Sequence, residues 1–173
     1  ALRKMVKPGQ TVLNTFCYTG FFSIAAAAAG AITSSLDLSQ VYLDWTRKNF
    51  LLNGIDPTDH YFCKGDTFHW LRRFAKQSRF FDYIILDPPT FSRDNKGKVF
   101  RAEKDYNQLF KLASTCLAPG GKILACTNSR GISVSDFMKQ LQGADLEISP
   151  MPEDFTDTPV SYTHLTLPTS YAV

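Results

Sequence analysis

The sequence predicts an α/β fold built on a doubly wound, mainly parallel sheet. Short apolar runs alternate with amphipathic or small-residue stretches at intervals of about 20 to 35 residues, the spacing of βαβ units. The run Ile84-Ile85-Leu86 is apolar throughout, which suits a strand buried on both faces of a parallel sheet. It ends abruptly in Asp87-Pro88-Pro89-Thr90-Phe91, and the prolines stop the ladder because neither can donate to it. The chain has 173 residues, 44% of them hydrophobic and 20% charged. That composition is globular, and one domain of this size buries about two-thirds of its unfolded surface.

Residues 1–7 read as the end of a helix closed by Pro8-Gly9. A strand at 11–16 leads into the turn Cys17-Tyr18-Thr19-Gly20. The helix at 21–29 is small enough in its side chains to lie close to the sheet, and Gly30 stops it. A second strand, 31–36, ends in Asp37. Ser39 caps a helix that runs to Asn53 and stops at Gly54. Tyr42, Trp45 and Leu52 share one stripe of it, Asp44, Arg47 and Lys48 another. A third strand at 60–64 precedes Gly65-Asp66-Thr67 and a helix at 68–77. Arg72, Arg73, Lys76 and Arg79 read as that helix's exposed face. After the fourth strand comes a polar, basic loop at 92–98, then a helix at 102–117 ended by Pro119-Gly120-Gly121. A fifth strand, 122–127, ends at Asn128; Ser133-Val134-Ser135-Asp136 opens a helix to Gln142, and 146–149 is a weaker sixth strand.

Residues 160–173 stand apart. The segment Val160-Ser161-Tyr162-Thr163-His164-Leu165-Thr166-Leu167-Pro168-Thr169 has the composition of an edge strand. It also resembles one reading-frame translation of a transposon adapter used in preparing DNA sequencing libraries. The expectation is a main domain at 1–159, a fragment lacking an N-terminal region before Ala1, and a non-native tail at 160–173 that leaves the last strand incomplete or replaced.

No apolar run approaches the roughly 20 residues of a membrane span, and the start lacks a signal-peptide core. Cys17, Cys63, Cys116 and Cys126 show no metal-ligand spacing, and three of them lie in apolar or strand-like stretches, as small buried hydrophobes do. No metal is expected, and a reducing cytoplasm fits. The net charge of +3 permits a polyanionic partner without requiring one.

Three strand ends describe a ligand pocket. In Asn14-Thr15-Phe16-Cys17-Tyr18-Thr19-Gly20, the glycine allows a ligand close to the backbone at a helix start. A dinucleotide site would need G-x-G-x-x-G, and only one of those glycines is present, so a small carboxylate fits better than a pyrophosphate. Asp37 can take both ribose hydroxyls of a nucleoside, or cap the next helix. Asp66 can accept from an adenine amino group, and serves equally as an N-cap. Together they suit adenosine carrying an amino-acid tail. Asp87 and Phe91, held on a stiff loop, suit a flat, hydrogen-bonding acceptor such as a nucleobase.

At these residues the chain resembles the class I S-adenosylmethionine-dependent methyltransferases. Their first motif, acidic-x-(Gly or Phe)-x-Gly-x-Gly, reads here Asn14-x-Phe16-x-Tyr18-x-Gly20, with Asn for the acid and Tyr for the middle glycine. Asn14 to Gly20, Leu36-Asp37-Leu38-Ser39, Asp87 to Ser92 and Asn128-Ser129-Arg130-Gly131 resemble a narrower group, the bacterial large-subunit ribosomal RNA methyltransferases and their relatives. The likeness extends through Val99 to Tyr106. It implies a Rossmann-like fold and S-adenosyl-L-methionine bound by Asn14, Phe16, Tyr18, Thr19 and Gly20, with its ribose on Asp37 and Leu38 and its adenine near Asp66 and Phe68. The methyl would point at Asp87, Pro88, Pro89 and Phe91.

Methylation at cytosine C5 requires a thiolate to attack the ring. No Cys precedes Pro88-Pro89, and Cys126, inside the fifth strand, reads as a packing residue. A guanine ring nitrogen such as N7 carries a free lone pair and needs only positioning, and the motif pair looks most like the guanine-N7 branch. RNA, above all large-subunit ribosomal RNA, is the expected partner. Arg93, Lys96, Lys98 and Arg101 can grip its phosphates or form a solvated loop. Methylation of DNA adenine or a protein amide, and a non-catalytic RNA-binding module that keeps the fold, are the alternatives.

Overall fold

Val12, Leu13, Asn14 and Thr15 are buried on both faces, the environment of a central parallel strand. A computed structural model of the chain describes residues 2–93, 97, 99–129, 131–149 and 164–168. Along the chain lie α1 (Leu2–Met5), β1 (Thr11–Thr15), α2 (Phe21–Ala27), β2 (Ile32–Asp37), α3 (Gln40–Leu52), β3 (Tyr61–Lys64), α4 (Thr67–Lys76) and β4 (Phe81–Leu86). They are followed by β5 (Phe91–Arg93), β6 (Val99–Arg101), α5 (Ala102–Ser114), β7 (Leu117–Ala125), α6 (Val134–Gln140), β8 (Glu147–Ser149) and β9 (His164–Pro168).

The main sheet has seven strands in the order β3-β2-β1-β4-β7-β9-β8. The first five run parallel. β9 lies antiparallel between β7 and β8, so part of the tail that reads as foreign occupies the sixth of the seven strand positions. The chain order reverses between β1 and β4, and ligands of doubly wound sheets bind at the carboxyl ends beside that point. Successive strand residues feed opposite cores: Leu13 and Ile84 join a large core with Phe74, Tyr106, Phe110 and Phe137, whereas Val12 and Ile85 join a smaller one with Leu2, Val6 and Ala26.

Several local expectations change. The loop at 92–98 is flanked by an antiparallel pair, β5 and β6, with Phe91 opposite Arg101 and Ser92 opposite Phe100. Lys96 and Lys98 lie outside the described residues. Helix α5 ends at Ser114, earlier than Pro119-Gly120-Gly121 suggests, because the sheet captures the chain first. Phe81 N–H donates to the Cys116 carbonyl at 2.9 Å, Leu117 pairs with Phe81, and a register shift between Phe81 and Tyr83 absorbs the turn. On α3 the inward stripe is Leu43, Thr46 and Phe50, not Tyr42, Trp45 and Leu52; Leu52 is 83% exposed. Arg79 is no solvated lysine-like charge either. Its Nη2 donates to Ser34 Oγ at 2.9 Å, and its guanidinium lies 4.6 Å from the Tyr61 ring centre.

His60 is expected to make stability depend on pH. Its ring packs 4.8 Å from Phe50, and Nδ1 accepts from Thr33 N–H at 3.1 Å, which requires the unprotonated nitrogen. Burial lowers its pKa from the ordinary 6.5, against partial opposition from Asp59 and Asp56. As pH falls through 6.5 the unfolded chain takes up the proton before the folded one does, so folding stability declines below that point and is unaffected well above it. Chemical denaturation at pH 7.5 and 6.0 should show this loss in the wild type and a smaller one in His60→Gln.

Candidate active site

The ends of β1, β2, β3, β4 and β7 meet at one edge, because the parallel ladders align Thr15 with Leu36 and with Leu86, Asp37 with Lys64, and Leu86 with Ala125. The loop after β1 is wound so that Phe16, Tyr18 and Gly20 have positive φ of 53°, 49° and 84°. These are the three positions where the general motif allows or wants glycine. The aromatic replacements therefore keep the left-handed backbone and carry its cost, of order 1–2 kcal/mol per non-glycine residue.

Neighbouring elements hold that loop. Tyr18 N–H donates to Asp37 Oδ2 at 3.0 Å, Thr46 Oγ1 to the Tyr18 carbonyl at 3.0 Å, and Asn49 Nδ2 to the Thr19 carbonyl at 2.9 Å. Gly20 sits so close to α3 that a Cβ there would collide with Thr46 Cγ2. The glycine thus serves helix packing as well as access to a ligand. Beyond the loop, Tyr18 is 55% exposed and packs edge-on to Tyr42, with ring centres 4.7 Å apart.

Asp37 accepts from Ser39 N–H at 2.9 Å through Oδ1 and from Tyr18 N–H through Oδ2, which leaves each oxygen a lone pair. Its own carbonyl accepts from Gly65 N–H at 2.9 Å, which brings the β3 exit alongside. There Asp66 caps α4, Oδ1 accepting from His69 N–H at 2.8 Å, so its capping role is realised. Phe68 is buried in the large core, 6.0 Å from Phe100, and Phe100 lies 6.1 Å from Phe16. Phe100 of the hairpin is thus a wedge between the β1 loop and α4 that nothing in its local sequence marked.

The Pro-Pro loop is fixed at its root. The Leu86 carbonyl accepts from Tyr106 OH and from Cys126 N–H, each at 2.8 Å, so the peptide before Asp87 cannot turn freely. Tyr106 is buried edge-on against Phe137, 4.7 Å between ring centres. Asp87 and Pro88 are partly and fully buried, Pro89 is exposed, and Phe91 is 51% exposed with the Arg101 guanidinium 6.0 Å from its ring centre. Ala102 N–H donates to the Thr90 carbonyl at 3.1 Å, tying the hairpin's far end to the loop.

All four cysteines are buried. Burial, then Asp37, pushes Cys17 up to about 12. Cys126 is held well above its usual range by burial and then by Asp87. Cys63 and Cys116 are raised by burial as well. A thiolate nucleophile is therefore not on offer at neutral pH.

The residues suit an adenosine cofactor with an amino-acid tail. Asn14 is buried with Nδ2 donating to Ser23 Oγ at 2.9 Å, while its Oδ1 has no hydrogen-bond partner among the described residues. An orphaned acceptor beneath the β1 loop costs stability until a donor reaches it, and an ammonium or a water can supply one. The lone pairs of Asp37 match a pair of hydroxyls. A sheet edge that suits a nucleoside cofactor, beside a clamped loop on a doubly wound sheet, places the chain among the α/β folds that bind ligands at their strand ends.

Known proteins agree. Residues 3–149 match the family described as S-adenosylmethionine-dependent methyltransferase, and the chain belongs to that family. Its cofactor is S-adenosylmethionine. The ribosomal RNA large subunit methyltransferase K of Neisseria meningitidis is 37% identical over 150 residues, which cover 85% of this chain and 42% of that protein. The methyltransferase K/L of Chromohalobacter salexigens is 43% identical over 131 residues, 75% of this chain and 17% of its own. The crystal structure of SMU.776 complexed with SAH superposes with a TM-score of 0.88 at 32% identity, over 97% of this chain and 47% of that one. The chain thus spans less than half the length of these relatives.

Proposed function

We propose that the chain transfers the methyl group of S-adenosylmethionine to a base of large-subunit ribosomal RNA in the cytoplasm, with a guanine ring nitrogen as acceptor. The observation that carries this reading is the acceptor lip: a carboxylate and a half-exposed ring on a clamped loop, beside a cofactor edge, with every thiol protonated. Bound S-adenosylmethionine supplies an electrophilic methyl on a sulfonium. The chain's own groups then have to hold and orient. Asn14 and the loop through Phe16, Tyr18, Thr19 and Gly20 receive the amino-acid tail, Asp37 and Leu38 the ribose, and Asp66 the adenine. Asp87 accepts from base N–H groups and Phe91 stacks on the ring. A displacement at an available lone pair gains most of its acceleration from such positioning. Phe68 supports the adenine side from within the core.

Incubation with labelled cofactor and undermodified ribosomal RNA, followed by mass-spectrometric mapping, tests the reading. Label on a guanine nitrogen is expected. Label confined to DNA or protein overturns the substrate, and label on a pyrimidine carbon overturns the acceptor. The methyltransferase unit is assigned to 1–159, with 160–173 foreign to it, which resequencing through both ends of the gene checks.

A further inference from the structure

The acceptor side carries one more side chain whose orientation the fold sets. Asn128 is exposed, yet Thr127 and Ser129 on either side are buried. Thr90, in the Pro-Pro loop, donates its hydroxyl to Asn128 Oδ1 at 2.9 Å. With its oxygen bonded to Thr90, the amide turns its NH₂ away from that side chain. Among the described residues nothing else bonds to that amide. The backbone beneath is held too. Ser129 N–H donates to Thr127 Oγ1 at 3.3 Å, and Ser129 Oγ donates to Glu103 Oε1 at 3.3 Å. A Cβ on Gly131 would collide with the same Glu103 oxygen, so the glycine lets that carboxylate lie against the loop. A polar group presented on so firm a base loses little freedom on binding.

We propose that Asn128 is a positioning residue that selects the acceptor base, its NH₂ donating to an exocyclic carbonyl of that base beside Asp87. The inference rests on the RNA-base reading above and adds the chemistry of one edge. Asn128 follows β7 just beyond Cys126, whose N–H bonds the carbonyl that precedes Asp87 at 2.8 Å, so both side chains rise from neighbouring strand ends. A carboxylate and an amide NH₂ on neighbouring strand ends can present an acceptor beside donors. Guanine offers the complement, ring N–H next to its carbonyl. Adenine sets an amino group where the carbonyl would be, and two donors then face each other unpaired.

The test measures kcat and KM for label transfer to undermodified large-subunit ribosomal RNA by wild type, Asn128→Ala, Asn128→Asp and Thr90→Val. Asn128→Ala should raise KM about tenfold, the loss of one hydrogen bond, with kcat nearly unchanged. Asn128→Asp still accepts from Thr90 but turns a charge on the carbonyl, and should lower kcat/KM about a hundredfold. Thr90→Val should raise KM less, and should add nothing in an Asn128→Ala background, where no amide is left to orient. Cofactor affinity by calorimetry and melting temperature should stay at wild-type values throughout. A wild type that labels no ribosomal RNA sinks the substrate reading itself. An active wild type matched by Asn128→Asp overturns this inference alone, as does a loss confined to kcat.

Discussion

Asp87→Ala is expected to lower methyl transfer to ribosomal RNA about 10³-fold, the scale seen when one preorganised polar group is removed from a reacting centre. Cofactor affinity should change by no more than about a factor of two, the size of coupling between sites with no shared partner. The argument is one of placement. The Leu86 carbonyl carries both of its bonds, from Tyr106 and from Cys126, and Pro88 stiffens the next peptide. The backbone that carries the carboxylate is thus set before any base arrives. Asp87→Asn keeps the shape but exchanges an acceptor for donors, and should be nearly as damaging. No substitute chemistry emerges in either variant. Asp87 is only the second cause of the raised Cys126 pKa, and burial, the first, remains when the carboxylate is gone. Single-turnover transfer together with calorimetry checks both halves, and a variant that keeps most of the wild-type rate removes Asp87 from the reaction.

Gly20→Ala is expected to destabilise the fold by about 2–5 kcal/mol, from about 1–2 for a left-handed non-glycine residue and about 1–3 for overpacking. The φ of 84° and the collision with Thr46 Cγ2 are separate costs, and they can be separated. Thr46→Ser removes Cγ2 but keeps the hydroxyl that donates to the Tyr18 carbonyl at 3.0 Å. The double variant Gly20→Ala/Thr46→Ser should therefore recover the overpacking part and retain the backbone part. On the proposed placement of the cofactor over this loop, its affinity should fall in Gly20→Ala and recover in parallel. Thermal unfolding and calorimetry read the two effects. If Thr46→Ser recovers nothing, α3 is not what forbids a side chain at Gly20.

Much of this arrangement was legible in the chain itself. Apolar runs that end in Asp37, Asp87 or a glycine turn place the strands, and period and capping residues place the helices. Ser39, Asp66 and Ser133 each cap the helix that follows, because a short polar side chain before an amphipathic stretch has one evident use. Since parallel strands share their direction, those ends had to gather at one edge. The hairpin that carries Phe91 and Phe100 was harder. Its strands are three residues each, and the charges between them speak for a loop.

What local sequence left open is how the site is held. Phe16 and Tyr18 adopt a glycine's backbone, a choice no aromatic side chain announces. The buried stripe of α3 runs through a threonine whose worth lies in reaching Tyr18, so counting apolar residues picks the wrong face. Tyr106 on Leu86, Asn49 on Thr19 and Thr90 on Asn128 join residues 20, 30 and 38 positions apart. Sequence periodicity reports which side of an element meets the core. It carries no record of which polar atom across a sheet edge stands within 3 Å, and in this protein only the tertiary structure brings those atoms together.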